Sequence, residues 1–192
     1  MTVMAKVQRR DRWADWAVIL FVVVALVIGL VLRSSVLYRT TPFTLSESGI
    51  SGEAPTGWVS REGDATLLRL RNPVGRTFDT RLEVRSQPLA DEAAPGLALD
   101  AIALERANDV TAYQTLNTDA VLVDGKATPR RVFTYVETNP NPYLDNLPVV
   151  VRGTDIALRD EGRVIVVTFL ADTENFYADY PFFLAFIESL EY

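Results

Sequence analysis

Asp172, Glu174, Asn175 and Asp179 lie close together near the end of the chain. Hard oxygen ligands of this kind suit calcium. Their spacing fits no EF-hand loop, and a helix cap with a solvated turn accounts for the same four residues. Other chemistry is restricted by what is missing: the 192 residues include no His and no Cys. That removes Ser-His-Asp and Cys-His nucleophiles, the usual zinc ligand sets, thiolate-held iron–sulfur clusters and His- or Cys-ligated haem. It also removes disulfides. Serine paired with lysine remains, but beyond residue 42 the chain has a single lysine, Lys126. It follows Asp124-Gly125 in a tight turn, where a solvated ammonium keeps its charge and makes a poor base. Carboxylates are numerous enough that close pairs are inevitable, and no pair has a spacing that sets it apart. The sequence therefore predicts a protein that is not an enzyme, with no cofactor and no metal; calcium at Asp172, Glu174 and Asp179 is the one alternative.

A second stretch is suited to contact rather than catalysis. Residues 139–148 read NPNPYLDNLP, with three prolines framing Tyr143, Leu144 and Leu147. A stiff loop carrying an aromatic loses little entropy on binding. Pro140, Pro142, Tyr143 and Leu144 are the candidate partner contacts. The plainer reading folds Tyr143 and Leu147 under the sheet.

These residues must be positioned by a chain whose dominant feature lies at the other end. Ala17 to Leu32, AVILFVVVALVIGLVL, has no charge, and all but Ala17, Ala25 and Gly29 are Leu, Ile, Val or Phe. Sixteen helical residues rise about 24 Å, short of a bilayer core of about 30 Å. Extending the span to Trp13 closes the gap and sets Trp13 and Trp16 at the interface. A run apolar on every face has no polar side to show water, which argues against a core helix in a soluble domain. A cleaved signal peptide has a shorter apolar region and a small-x-small site, which Arg33-Ser34-Ser35-Val36 does not offer. The span is therefore read as an uncleaved anchor in lipid. Lys6, Arg9, Arg10 and Arg12 precede it, and only Arg33 and Arg39 follow closely, so the N-terminus is expected in the cytoplasm and the remainder outside it. Ala25-x-x-x-Gly29 would allow close approach of another helix.

The expected organisation is a cytoplasmic tail at 1–12, a transmembrane helix at 13–32, a tether at 33–42 and an extracytoplasmic domain at 43–192. Of the 19 basic and 25 acidic residues, six and two respectively precede residue 43, leaving the domain with a net charge of −10. That argues against a nucleic-acid partner and against a domain lying flat on anionic lipid.

Within the domain, period-two alternation predicts half-buried strands. At 65–71, Leu68 and Leu70 point inward and Arg69 and Arg71 to solvent. At 80–85, Leu82 and Val84 point inward and Arg81, Glu83 and Arg85 outward. A loop at 86–97 precedes a helix whose stripe is Leu99, Ile102, Ala103, Arg106 and Val110. Strands follow at 118–123 and 128–137, joined by Asp124-Gly125, then at 149–158 and 164–170. The last helix is placed with Pro181 in its first turn, Asp179 before it, and Phe182, Phe183, Phe186, Ile187 and Leu190 as its apolar stripe. The loop at Gly49–Gly57 is expected to lack strand structure. The fold class is α+β: a twisted antiparallel sheet covered by helices.

Pro55-Thr56-Gly57-Trp58 near the start, the meander of hairpins, and Phe186-Ile187-Glu188-Ser189-Leu190 at the close resemble the PsbP-like family, named for an extrinsic accessory protein of photosystem II. The resemblance covers about residues 43–192. It implies an α/β/α sandwich and an accessory, non-catalytic role. Integral membrane subunits would be the partners, in a photosynthetic or electron-transfer complex in its sharpest form. The alternative is a membrane-tethered exported domain that binds a small ligand or polymer.

Overall fold

The computed structural model describes residues 4–37, 39–63, 66–74, 77–138 and 148–192, without the side chains of 4–14 and 33–37. The chain divides into two units, Met1–Arg39 and Thr40–Tyr192. The first holds helix α1, Met4–Leu37. Its window Asp15–Leu32 has a mean hydropathy of 2.8 and none of it is buried, so it is long and apolar enough to cross a membrane. The helix continues into the stretch read as a tether, and the next strand already begins at Thr40.

The second unit opens with a hairpin, β1 (Thr40–Leu45) and β2 (Ile50–Pro55), which forms its own two-stranded sheet. β2 occupies the segment expected to be a glycine-rich loop. Its backbone is committed to β1 through Phe43 opposite Gly52 and Thr44 opposite Ser51. A side chain at Gly52 would crowd Phe43 and Leu190, so the glycine here allows close packing rather than a turn.

The remaining strands are β3 (Val59–Arg61), β4 (Leu68–Arg71), β5 (Arg81–Pro88), β6 (Thr111–Val123), β7 (Lys126–Glu137), β8 (Val149–Asp160) and β9 (Arg163–Asp172). They form one antiparallel sheet in the order β3-β4-β5-β9-β8-β7-β6. The β6–β7 turn is Asp124-Gly125, both at positive φ (50° and 73°), as a two-residue hairpin of the favoured hand requires.

Helix α2 (Gly96–Asp109) covers one face and helix α3 (Phe176–Glu188) the other, which gives the predicted α+β architecture. α3 starts earlier than its proline suggested. Pro181 lies inside it, and Asp179 is a buried first-turn residue rather than a cap. Phe183, Phe186, Ile187 and Leu190 enter the main core with Leu68, Leu70, Leu82, Val84 and Phe169. Phe182 lies at the margin against Trp58, with ring centroids 5.9 Å apart.

The two sequence motifs of the resemblance border the same core and are linked through the first hairpin. Trp58 N–H closes the Pro55 turn. On the same hairpin, Phe43 stacks on Phe186 at 5.7 Å. The Glu53 N–H donates to Ser189 Oγ at 3.0 Å, and Ser51 bridges Glu191. The last helix is thus fastened to the first hairpin.

Candidate functional site

Arg69 and Arg71 of β4 are exposed, as alternation implies, but the polar positions of β5 are half-buried or buried. They lie on the α2 face of the sheet, and Glu83 is only 5% exposed there. This corrects the wet-face expectation for Glu83. Alternation reports two different faces, and along β5 both are covered. Burial of the charged face is possible because opposite signs meet on it. Glu83 lies between Arg69 (Nε, 2.8 Å) and Arg85 (Nη2, 3.6 Å), and Arg85 reaches on to Glu105 of α2 at 3.5 Å.

Arg106 follows Leu99 and Ile102 along the helix stripe, so it must turn inward. Its Nη1 donates to Asp155 Oδ2 at 2.7 Å and its Nη2 to Oδ1 at 3.3 Å. Asp155 is fully buried and also accepts a 2.6 Å bond from Thr168 Oγ1. Burial alone lowers the Arg106 pKa; the charge and hydrogen bonds of Asp155 outweigh it, so the net shift is upward. The guanidinium also lies over the Phe133 ring, 4.1 Å from its centroid. On β8, Gly153 stands opposite Phe133, and a Cβ at Gly153 would come within 2.2 Å of that ring. The layers run glycine, phenyl ring, guanidinium, helix. Arg131 ties down the other end of α2 through Leu99 O (2.6 Å) and the Asp100 carboxylate.

Near the C-terminal end of α2 these groups border a cleft of about 200 Å³ that also touches Arg81, Tyr135, Glu137 and Asp109. Burial, more than the neighbouring Glu137 charge, raises the Tyr135 pKa, so the phenol keeps its proton. The cleft offers matched donors and acceptors in fixed positions.

The opposite face has a second pocket, of about 380 Å³, between the first half of α3 and strands β6–β8. Arg152 rises into it from β8. Its guanidinium carbon lies 4.8 Å from the Phe176 centroid and 5.2 Å from that of Tyr177, and its Nη1 donates to Tyr177 Oη at 3.0 Å. Arg130, on the neighbouring strand, is held by Asp119 through two bonds of 2.8 and 2.6 Å.

The acidic group near α3 is dispersed by the fold. Asp172 Oδ1 accepts the Asn175 N–H at 2.7 Å and also binds its side-chain amide. Asp179 accepts from Thr80 on a different element. Among the described residues no group of three acidic side chains is placed to hold a metal ion. Trp16 is exposed on α1, and a side chain at Gly29 would meet nothing within 4 Å; Ala25 is exposed on the same helix. The Trp13 side chain, and Pro140, Pro142, Tyr143 and Leu144, lie outside the described residues. Sequence reasoning missed Arg152 and the Glu83 cluster. Arg106 falls on the apolar stripe of its helix in the sequence, and that position is the signal for a buried counter-charge.

No protein-family model and no curated protein matches the sequence. Solved structures match the fold, which is that of PsbP-like and Mog1-like domains. The cyanobacterial PsbP (CyanoP) of Synechocystis sp. PCC 6803 superposes with a TM-score of 0.56 at 11% identity, over 79% of this chain and 91% of that one. LpqN of Mycobacterium tuberculosis, described as involved in cell envelope biogenesis, gives 0.51 at 14% identity over 79% and 89%. The Ran-binding protein Mog1p of Saccharomyces cerevisiae gives 0.51 at 14% over 80% and 95%.

Proposed function

We propose that the protein is a non-catalytic, single-span accessory subunit whose folded domain binds the extracytoplasmic side of a membrane protein complex. The observation that carries this reading is α1. Every residue from Asp15 to Leu32 is exposed, at a mean hydropathy of 2.8, and such a surface needs lipid or other membrane helices around it. The domain supports it by using its charged side chains on one another: Arg106 with Asp155, Glu83 with Arg69, Arg131 with Asp100. This arrangement suits a rigid binding body.

A photosynthetic or electron-transfer complex is the narrower form of the proposal. The same fold occurs in a cyanobacterial PsbP, a mycobacterial cell-envelope protein and a yeast Ran-binding protein. The broader reading therefore does not depend on photosynthesis.

The test is to solubilise native membranes in mild detergent, pull on a C-terminal tag and identify what co-purifies. A stoichiometric set of integral membrane subunits is expected; the protein alone would sink the proposal. If Ala25 and Gly29 pack on a partner helix, Gly29→Leu should release the protein from that set. Orientation is read in the same membranes. The chain has no Cys, so a single exposed Glu47→Cys should react with an impermeant maleimide added from outside.

A further inference from the structure

Most arginines that line the two faces have a carboxylate partner; Arg81, which lies over the Phe78 ring, is an exception on the α2 side. On the α2 face Arg69, Arg85, Arg106 and Arg131 each reach a carboxylate. On the α3 face Arg130 has Asp119, but Arg152 has no carboxylate among the described residues. Its polar partner is a neutral hydroxyl, that of Tyr177, and its Nε is buried without an acceptor. A partly buried cation lacking a counter-ion, with an orphaned donor, is costly to keep and calls for an explanation.

The surroundings supply one. The pocket that Arg152 enters has a volume of about 380 Å³, within the range of about 300–1,000 Å³ typical of small-molecule sites. Its other walls include the rings of Phe176, Tyr177 and Tyr180 and the aliphatic side chains of Leu116 and Val132. Asp119 neutralises Arg130, so Arg152 remains the uncompensated charge of the lining, in a domain whose net charge is otherwise strongly negative. A guanidinium takes a carboxylate through paired N–H donors, and the flat apolar walls favour a planar body behind that carboxylate.

We propose that the pocket between α3 and strands β6–β8 is a binding site for a small aromatic carboxylate, with Arg152 receiving the carboxylate and Tyr177, Tyr180 and Leu116 enclosing the ring. The site is independent of the accessory role: it needs no partner protein and stands or falls on the purified chain.

The experiment is calorimetric titration of the full-length protein in detergent with benzoate, with inorganic phosphate and with benzyl alcohol. Benzoate should bind, and the other two should bind at least tenfold more weakly, since one lacks the ring and the other the charge. Arg152→Gln should lower benzoate affinity at least tenfold. Tyr177→Ala, at a residue 70% exposed and therefore safe for the fold, should lower it by a smaller factor. Arg152→Lys keeps the charge but loses the fork and should fall between Arg152→Gln and the parent. No heat from benzoate at about 50 mM, well beyond millimolar affinity, would overturn the proposal. Equal binding of phosphate or benzyl alcohol would do the same, as would benzoate binding unchanged in both Arg152→Lys and Tyr177→Ala.

Discussion

The same strands build two unlike faces. Toward α3, β5 and β9 send Leu82, Val84, Val167 and Phe169 into a layer of aliphatic and aromatic side chains, where Phe169 stacks on Phe183 at 5.3 Å. Toward α2, the alternate residues of β5, β8 and β9 include Glu83, Asp155 and Thr168, all buried and met by charges or hydroxyls, beside the apolar Ala157, Val164 and Val166. The two helices follow their faces. α3 brings Phe176, Phe183 and Phe186, whereas α2 brings Leu99 and Ile102 and then Arg106. An apolar layer is stabilised by area and tolerates repacking. A charged layer holds only while each partner is present, because a lone buried charge costs more than the pair gains. The α3 face therefore supplies stability, and the α2 face fixes where one helix sits.

The largest effects should come from deleting one member of each layer. Asp155→Ala leaves the Arg106 guanidinium buried without its carboxylate, and we expect a loss of about 3–5 kcal/mol in urea unfolding. Phe183→Ala should cost a similar amount, about 3–5 kcal/mol, through the cavity it leaves. The faces separate in the rescue. Adding Arg106→Met to Asp155→Leu should restore most of the stability, since an apolar pair of like volume replaces the ions. For Phe183→Ala no change at a single neighbour refills the cavity, and only Phe183→Leu or Phe183→Met should recover part of the loss. If Arg106→Met with Asp155→Leu stays as unstable as Asp155→Ala, the pair is not a replaceable unit and the contrast fails.

Gly153→Ala probes the seam of the charged layer. Its new methyl would overlap the Phe133 ring that carries Arg106, and overpacking of this kind costs about 1–3 kcal/mol. Phe133→Leu in the same chain should relieve part of that cost, because the ring is what occupies the space. A mild effect of Gly153→Ala alone would mean the ring can swing away, and the layered stack would be weaker than described.

How far the sequence reaches is set by the same contrast. Periodicity identified the apolar half of the fold: Leu68, Leu70, Leu82, Val84, Phe183, Phe186 and Leu190 all lie in one core. It also placed the Asp124-Gly125 hairpin. It placed Arg69 and Arg71 outward correctly but misread Glu83, because alternation says which residues share a face and not whether that face is covered. Glu83 looked solvated for this reason. The segment 50–55 looked like a loop because Gly52 and Pro55 are poor strand formers, and only tertiary contacts with Phe43 and Leu190 make it a strand. Pro181 reads as a start signal, whereas five helical residues after Asn175 precede it. The Arg152 pocket had no local signature at all: its lining comes from β6, β7, β8 and α3, which meet only in the folded chain.

The smallest predicted effect concerns acid. Asp119 lies on the outer hairpin strand, where its two hydrogen bonds from Arg130 hold its pKa below the usual carboxylate value. A carboxyl with a folded pKa below its unfolded one, about 3.9, contributes stability that is complete above that unfolded value. The contribution is lost as the pH falls through the folded pKa. Asp160 behaves the same way: burial pushes its pKa up, but Arg163 and the Glu161 N–H together bring the net shift down. Both groups are largely open to water, so each effect is small and falls further with salt. Melting curves of Asp119→Asn should therefore match the parent most closely at the lowest pH and fall below it as the pH rises through 4. A difference between Asp119→Asn and the parent that stays constant across that range would place the Asp119–Arg130 contribution in shape and hydrogen bonding rather than charge, and the outer hairpin would then behave like the apolar face instead of the charged one.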